Sequence, residues 1–130
     1  MSTSGTPHEG KDDIIVPAVY TGLDLRLYTN TQNSLTATTI LSNITYPSGT
    51  GYATISLSGT WSSTDGVITY EHPGNPQFEN TGGTTWTGGD VTGVVITDAS
   101  AILHFKDLAL GPVTMTAGQI LEIDISSLVA

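Results

Sequence analysis

Val91-Thr92-Gly93-Val94-Val95-Ile96-Thr97, then Asp98-Ala99-Ser100, then Ala101-Ile102-Leu103-His104-Phe105-Lys106, is the run that decides how the rest of the chain is read. Its first part is rich in β-branched residues and suits a strand, and the second suits a tight turn. The third alternates, with Ala101, Leu103 and Phe105 on one face and Ile102, His104 and Lys106 on the other, as on the return leg of a hairpin. After a break at Gly111-Pro112, Val113-Thr114-Met115 suits a short strand, Ala117-Gly118 a turn, and Gln119 to Ser126 a last strand. There Leu121, Ile123 and Ile125 fall on one side and Glu122 and Asp124 on the other, the pattern of a sheet with one face in water.

Upstream, Thr21 to Thr29 alternates Leu23, Leu25 and Leu27 with Asp24, Arg26 and Tyr28, an amphipathic strand. Ile40, Leu41 and Ile44 stand at helical spacing and allow a single turn of helix within Thr38 to Ile44. Tyr52 to Ser58 reads as a strand with Ala53, Ile55 and Leu57 on one face. Trp61, the polar run Ser62-Ser63-Thr64-Asp65-Gly66 as a turn, and Val67-Ile68-Thr69-Tyr70 read as a hairpin, the Asp-Gly pair suiting positive φ. Glu71 to Pro76 is loop. Phe78 starts a short strand, with turns at Asn80-Thr81-Gly82-Gly83 and Gly88-Gly89. Short strands separated by turn signals at intervals of about 8–12 residues predict an all-β, single-domain β-sandwich, jelly-roll-like or Greek-key, of about eight strands.

Ahead of that domain, assigned to residues 20–130, residues 1–19 form an N-terminal arm and a first apolar segment. Met1 to Asp13 is Ser, Thr, Gly, Pro and charge, too polar to order itself by burial. Ile14-Ile15-Val16-Pro17-Ala18-Val19 is apolar but carries a proline that removes a ladder donor, which suits a sheet edge or a segment lying across another surface, with an ordinary first strand as the alternative. Lys11, Ile14, Ile15, Val16, Pro17 and Val19 are therefore the candidate partner-binding residues.

Lys and Arg number 3 against 12 Asp and Glu, a formal net charge of -9. A surface of that sign repels phosphate backbones and anionic lipid, so neither nucleic acid nor membrane is an expected partner. The chain has no cysteine, which rules out disulfides and thiolate zinc sites. Met1 to Gly10 lacks the apolar core of a signal peptide and no run has the length of a membrane span, so a soluble product made in a cytoplasm is expected.

No catalytic motif emerges, and neither a cofactor nor a metal is expected. His8, His72 and His104 show no metal-ligand spacing, and the alternation of its strand puts His104 on the outward face. Glu71, Glu79 and Asp90 sit in loops, where a glycosidase would need two carboxylates about 5–10 Å apart. Asp65-Gly66 and Gly88-Gly89-Asp90 are loops able to offer oxygen ligands to calcium, without an Asp-x-Asp-x-Asp cluster. Asn43-Ile44-Thr45 is a formal glycosylation sequon. Trp61, Trp86, Tyr52, Tyr70 and Phe78 suit core packing, a subunit interface or a sugar-stacking platform.

Gly51-Tyr52-Ala53, Trp61, Phe78-Glu79-Asn80, Thr97-Asp98-Ala99, and Pro112-Val113-Thr114 with Gly118 and Leu121 follow one another in an order that resembles a group of small virion proteins of tailed phages. Thr54 follows Ala53 where that pattern has an arginine, so no role of that arginine carries over. The resemblance implies a head-decoration, or cement, protein made in the bacterial host cytoplasm and bound to the capsid exterior. Its partner would be the major capsid protein, and it would clamp shell subunits without catalysis, commonly as a homotrimer. A tail, baseplate or fibre component is the neighbouring alternative. A carbohydrate-binding module using Trp61, Trp86 or Tyr70 belongs to another class, and a hydrolase is more distant.

Overall fold

The computed structural model describes residues 20–65, 67–71 and 75–125. Their strands are β1 (Asp24–Tyr28), β2 (Ile55–Ser56), β3 (Thr60–Thr64), β4 (Val67–Glu71), β5 (Gln77–Glu79), β6 (Gly93–Thr97), β7 (Ile102–Asp107) and β8 (Ile120–Glu122). A 3-10 turn at Leu41–Asn43 stands at the place where the apolar spacing predicts a single helical turn. β2-β1-β6-β7 form a four-stranded antiparallel sheet, and β3–β4 and β5–β8 form two-stranded ribbons. The chain is all-β, as its alternation and turn signals predict.

The main core lies between the four-stranded sheet and the two ribbons, which makes the arrangement sandwich-like. Leu23, Leu25 and Leu27 are buried together with Val94 and Ile96 of β6, and Phe78, Ile68, Trp86 and Met115 close over them. Fully burying each leucine contributes about 1.5–3 kcal/mol. Ile123 and Ile125 are buried in the same core while Glu122 and Asp124 stay exposed, as the pattern of the last strand predicts.

The other face of the sheet is not open to water. Alternation places Tyr28 with Asp24 and Arg26 on a polar side, yet Tyr28 is 0% exposed. The segment 29–47 roofs that face and packs Ile44 with Tyr28 and Val95. Asn30 braces the roof from within: its amide donates to the Asn43 carbonyl at 2.8 Å, and its side-chain oxygen accepts from the Thr45 N–H at 2.9 Å. Every residue of β6 is consequently buried.

One row across three strands fixes this arrangement. Tyr28 of β1 pairs with Gly93 of β6, and Gly93 pairs with Asp107 of β7. The Tyr28 ring lies over Gly93 so closely that a Cβ there would sit 2.2 Å from the ring. Its hydroxyl donates to Asp107 Oδ1 at 2.6 Å, and Asp107 Oδ2 accepts from the Asn33 N–H of the roof at 2.6 Å. Burial first, then the hydrogen bond to Asp107, push the Tyr28 phenol far above its ordinary range.

The β6–β7 hairpin forms around Asp98, whose carboxylate accepts from the N–H groups of Ser100 and Ala101, both at 2.8 Å. Those two bonds hold the exposed carboxyl below its ordinary pKa. The face assignment along β7 needs correction, because the register shifts between Ile96 and Thr97. A bulge leaves one residue unpaired and breaks strict alternation. Leu103 packs on the main core, and His104 pairs with Ile96 on that same side; Phe105 pairs with Val95 on the roofed side. His104 is thus not on an outward face.

Other boundaries also shift. Ser62, Ser63 and Thr64 belong to β3 rather than to the turn, and Asp65 at φ 51 starts the connection to β4. Cross-strand pairing carries these polar residues into the ladder, from Thr60 with Glu71 to Thr64 with Val67. Tyr52 to Ser58 contracts to the two residues of β2, since the Tyr52 N–H is drawn into a turn by the Gly49 carbonyl at 3.2 Å. Val113-Thr114-Met115 contributes one bridge, Val113 with Val91, and the last strand pairs only over Ile120–Glu122.

Candidate functional site

The residues that the sequence nominates for partner contact, Lys11, Ile14, Ile15, Val16, Pro17 and Val19, lie outside the described residues, as do His8 and His72. Tyr20, next in the chain, is where the N-terminal segment meets the domain. It is 8% exposed, and its ring lies 4.9 Å from Trp61 and 5.9 Å from His104. The hydroxyl and His104 Nε2 share a hydrogen bond of 2.6 Å. Burial raises the Tyr20 phenol above its ordinary pKa. Tyr20 therefore fills a seam between β7 and the β3–β4 ribbon.

Trp61 and Tyr70 complete that seam, 4.5 Å apart and tilted by 50°. The Tyr70 hydroxyl accepts from the Gly59 N–H at 2.8 Å, and a Cβ at Gly59 would strike the same ring. With Tyr20 and Tyr70 both in contact, Trp61 packs into the protein instead of standing out as a flat platform for a sugar ring. Phe78 and Trp86 are buried in the core, and Tyr52 packs half-buried against them. Tyr52 stacks on Phe78 at 5.9 Å and meets Trp86 edge-on at 5.4 Å, while the Trp86 indole N–H donates to the Thr50 carbonyl at 2.9 Å.

The carboxylates are dispersed. Glu71 ends β4, Glu79 ends β5, and Asp90 accepts from the Thr114 hydroxyl at 2.9 Å beside the Gly88-Gly89 turn. Among the described residues no three or more of His, Asp and Glu form a group able to hold a metal ion.

A cleft of about 140 Å³ opens between the end of β7 and β8. Val94, Leu108, Ala109 and Ile123 give it an apolar lining, and Lys106, Glu122 and Asp124 supply charge. Glu122 is held in place by two neutral donors, Asn75 Nδ2 at 3.0 Å and Gln77 Nε2 at 3.3 Å. Asp107 also borders the cleft, with its carboxylate engaged by Tyr28 and Asn33. The outward alternation of Glu122 and Asp124 is visible in the sequence; that β8 lies beside the end of β7 is not. No family model matches the chain, and no curated protein and no solved structure is significantly similar to it.

Proposed function

We propose that the chain is a non-enzymatic structural protein of a tailed-phage virion. In this reading it is a head-decoration protein that binds the assembled shell of major capsid protein from outside, as a homotrimer. The observation that carries the reading is where the residues of the resemblance lie. Scattered in sequence, Gly51, Tyr52, Phe78, Asn80, Gly118 and Leu121 meet around β5, while Trp61 lies at the seam and Thr97-Asp98-Ala99 at the β6–β7 turn. Gly51 packs so tightly on the next loop that a Cβ would sit 2.4 Å from the Glu79 carbonyl oxygen. Tyr52 stacks on Phe78, and Phe78 pairs with Leu121. Asn80 is 0% exposed and donates its amide to the carbonyls of Thr84 at 2.8 Å and Met115 at 3.0 Å. Its own carbonyl accepts from the N–H of Gly118, which sits at φ 81, a conformation that favours glycine.

The remaining physical features suit the same role. A net charge of -9 keeps the chain away from nucleic acid. A polar arm ending in an apolar segment can order on a partner, and binding only to assembled shell stabilises that state by mass action. The test is co-sedimentation with undecorated shells and, separately, with unassembled shell subunits. Binding to shells alone is expected, and failure to bind shells overturns the proposal. Deleting Met1 to Asp13 is expected to weaken shell binding while circular dichroism stays that of the β-fold. Undiminished binding by the truncated chain would remove the arm from the interface.

A further inference from the structure

The cleft beside β8 combines features that answer to one kind of ligand. Its lining of Leu108, Ala109 and Ile123 suits the methylene stem of a long basic side chain, which buries its stem while keeping its head in a polar setting. Glu122 also lines the cleft, its carboxylate oriented by Asn75 and Gln77. Those donors are neutral amides, so they fix the carboxylate without neutralising it, and a carboxylate retains lone pairs for a further donor. The lining carries one cation, Lys106, against the carboxylates of Asp107, Glu122 and Asp124, so the cleft is acidic on balance. The chain as a whole, at -9, draws cationic groups toward this surface. Leu110, next in the chain after Ala109, is 98% exposed.

We infer that this cleft is a docking point for a lysine or arginine side chain of a partner protein. The inference rests on the reading of the chain as a protein-binding domain, though not on which particle it binds. The partner's ammonium or guanidinium donates to the Glu122 carboxylate, a charge-assisted hydrogen bond, while its stem covers Leu108 and Ile123.

Amide-resolved NMR titration with acetyl-Gly-Lys-Gly-amide at about 0.15 M salt, against the norleucine peptide as control, tests this without any phage component. Saturable shifts at Leu108, Ala109, Glu122 and Ile123 are expected with the lysine peptide alone. Glu122→Gln is expected to weaken binding about tenfold. Ala109→Trp, which fills the cleft and keeps the carboxylate, is expected to abolish it, each variant retaining native shifts elsewhere. No saturable shift, an equal response to norleucine, or full binding by both variants would overturn the inference. A negative peptide result alongside shell binding would remove the cleft and leave the decoration reading standing; the reverse pair would do the opposite.

Discussion

β1–β6 and β3–β4 are ladders of the same length, each with five cross-strand pairs, and they have opposite fates. In the first, every residue of β6 is buried, with the core on one face and the 29–47 roof on the other. In the second, exposed and covered residues alternate along β3, and the ribbon joins the body through Ile68, Trp61 and Tyr70. Backbone hydrogen bonds contribute about the same net amount per pair in both, on the order of 1 kcal/mol. What differs is the apolar area removed from water, which is the dominant favourable contribution to folding. The covered pair is the framework; the ribbon is an attachment with one anchored face.

The largest expected effect falls on the framework. Leu25→Ala, at a site with 0% exposure, should cost about 2–5 kcal/mol, read from the denaturant midpoint. A loss below about 1 kcal/mol would mean that the core is looser than described. Gly93→Ala comes next. Its Cβ would meet the Tyr28 ring at 2.2 Å and the Lys106 carbonyl at 2.5 Å, so overpacking should cost about 3 kcal/mol and loosen the roof. Hydrogen exchange at Asn33 and Thr45 would show the loosening, and unchanged protection there would contradict the three-strand row.

That row shows what can and cannot be read from the chain. Leu23, Leu25 and Leu27 announce their strand because period-two alternation is local. The turn at Asp98-Ala99-Ser100 is equally legible, since the Asp98 side chain caps neighbours two and three residues away. Tyr28 misleads: its neighbours say polar face, and its burial depends on Ile44 of the roof and on Asp107, which no local pattern links to it. His104 misleads for a related reason, as the bulge beside Thr97 reverses its face and only pairing with β6 reveals it. The seam at Tyr20 and the cleft beside β8 both arise from distant strands meeting. The residues of each are visible in the sequence, and their meeting is not.

Alkaline titration sharpens the comparison. Tyr28 in the framework, Tyr52 in the core and Tyr20 at the seam all have phenols raised chiefly by burial. Unfolded tyrosine releases its proton near pH about 10. Above that the unfolded state binds fewer protons than the folded one, so stability is full below it and falls as pH rises. Exchange in β3–β4 should accelerate first and the β1–β6 amides should follow. Simultaneous loss would merge the two regions into one cooperative unit. The smallest effect is expected for Val67→Thr near the tip of the ribbon, where the side chain is 59% exposed. A change within about 0.5 kcal/mol is expected, and a larger loss would place Val67 in an unsuspected contact.

The measurement that bears most directly on the proposed role is the copy number of this chain in purified particles, relative to the major capsid protein, by quantitative mass spectrometry. A decoration protein should be present at a fixed ratio to the shell subunit, amounting to hundreds of copies per particle, on the order of the number of repeating positions in a closed symmetric lattice. A handful of copies would move it to the tail or portal end, and absence from particles would contradict the virion role altogether.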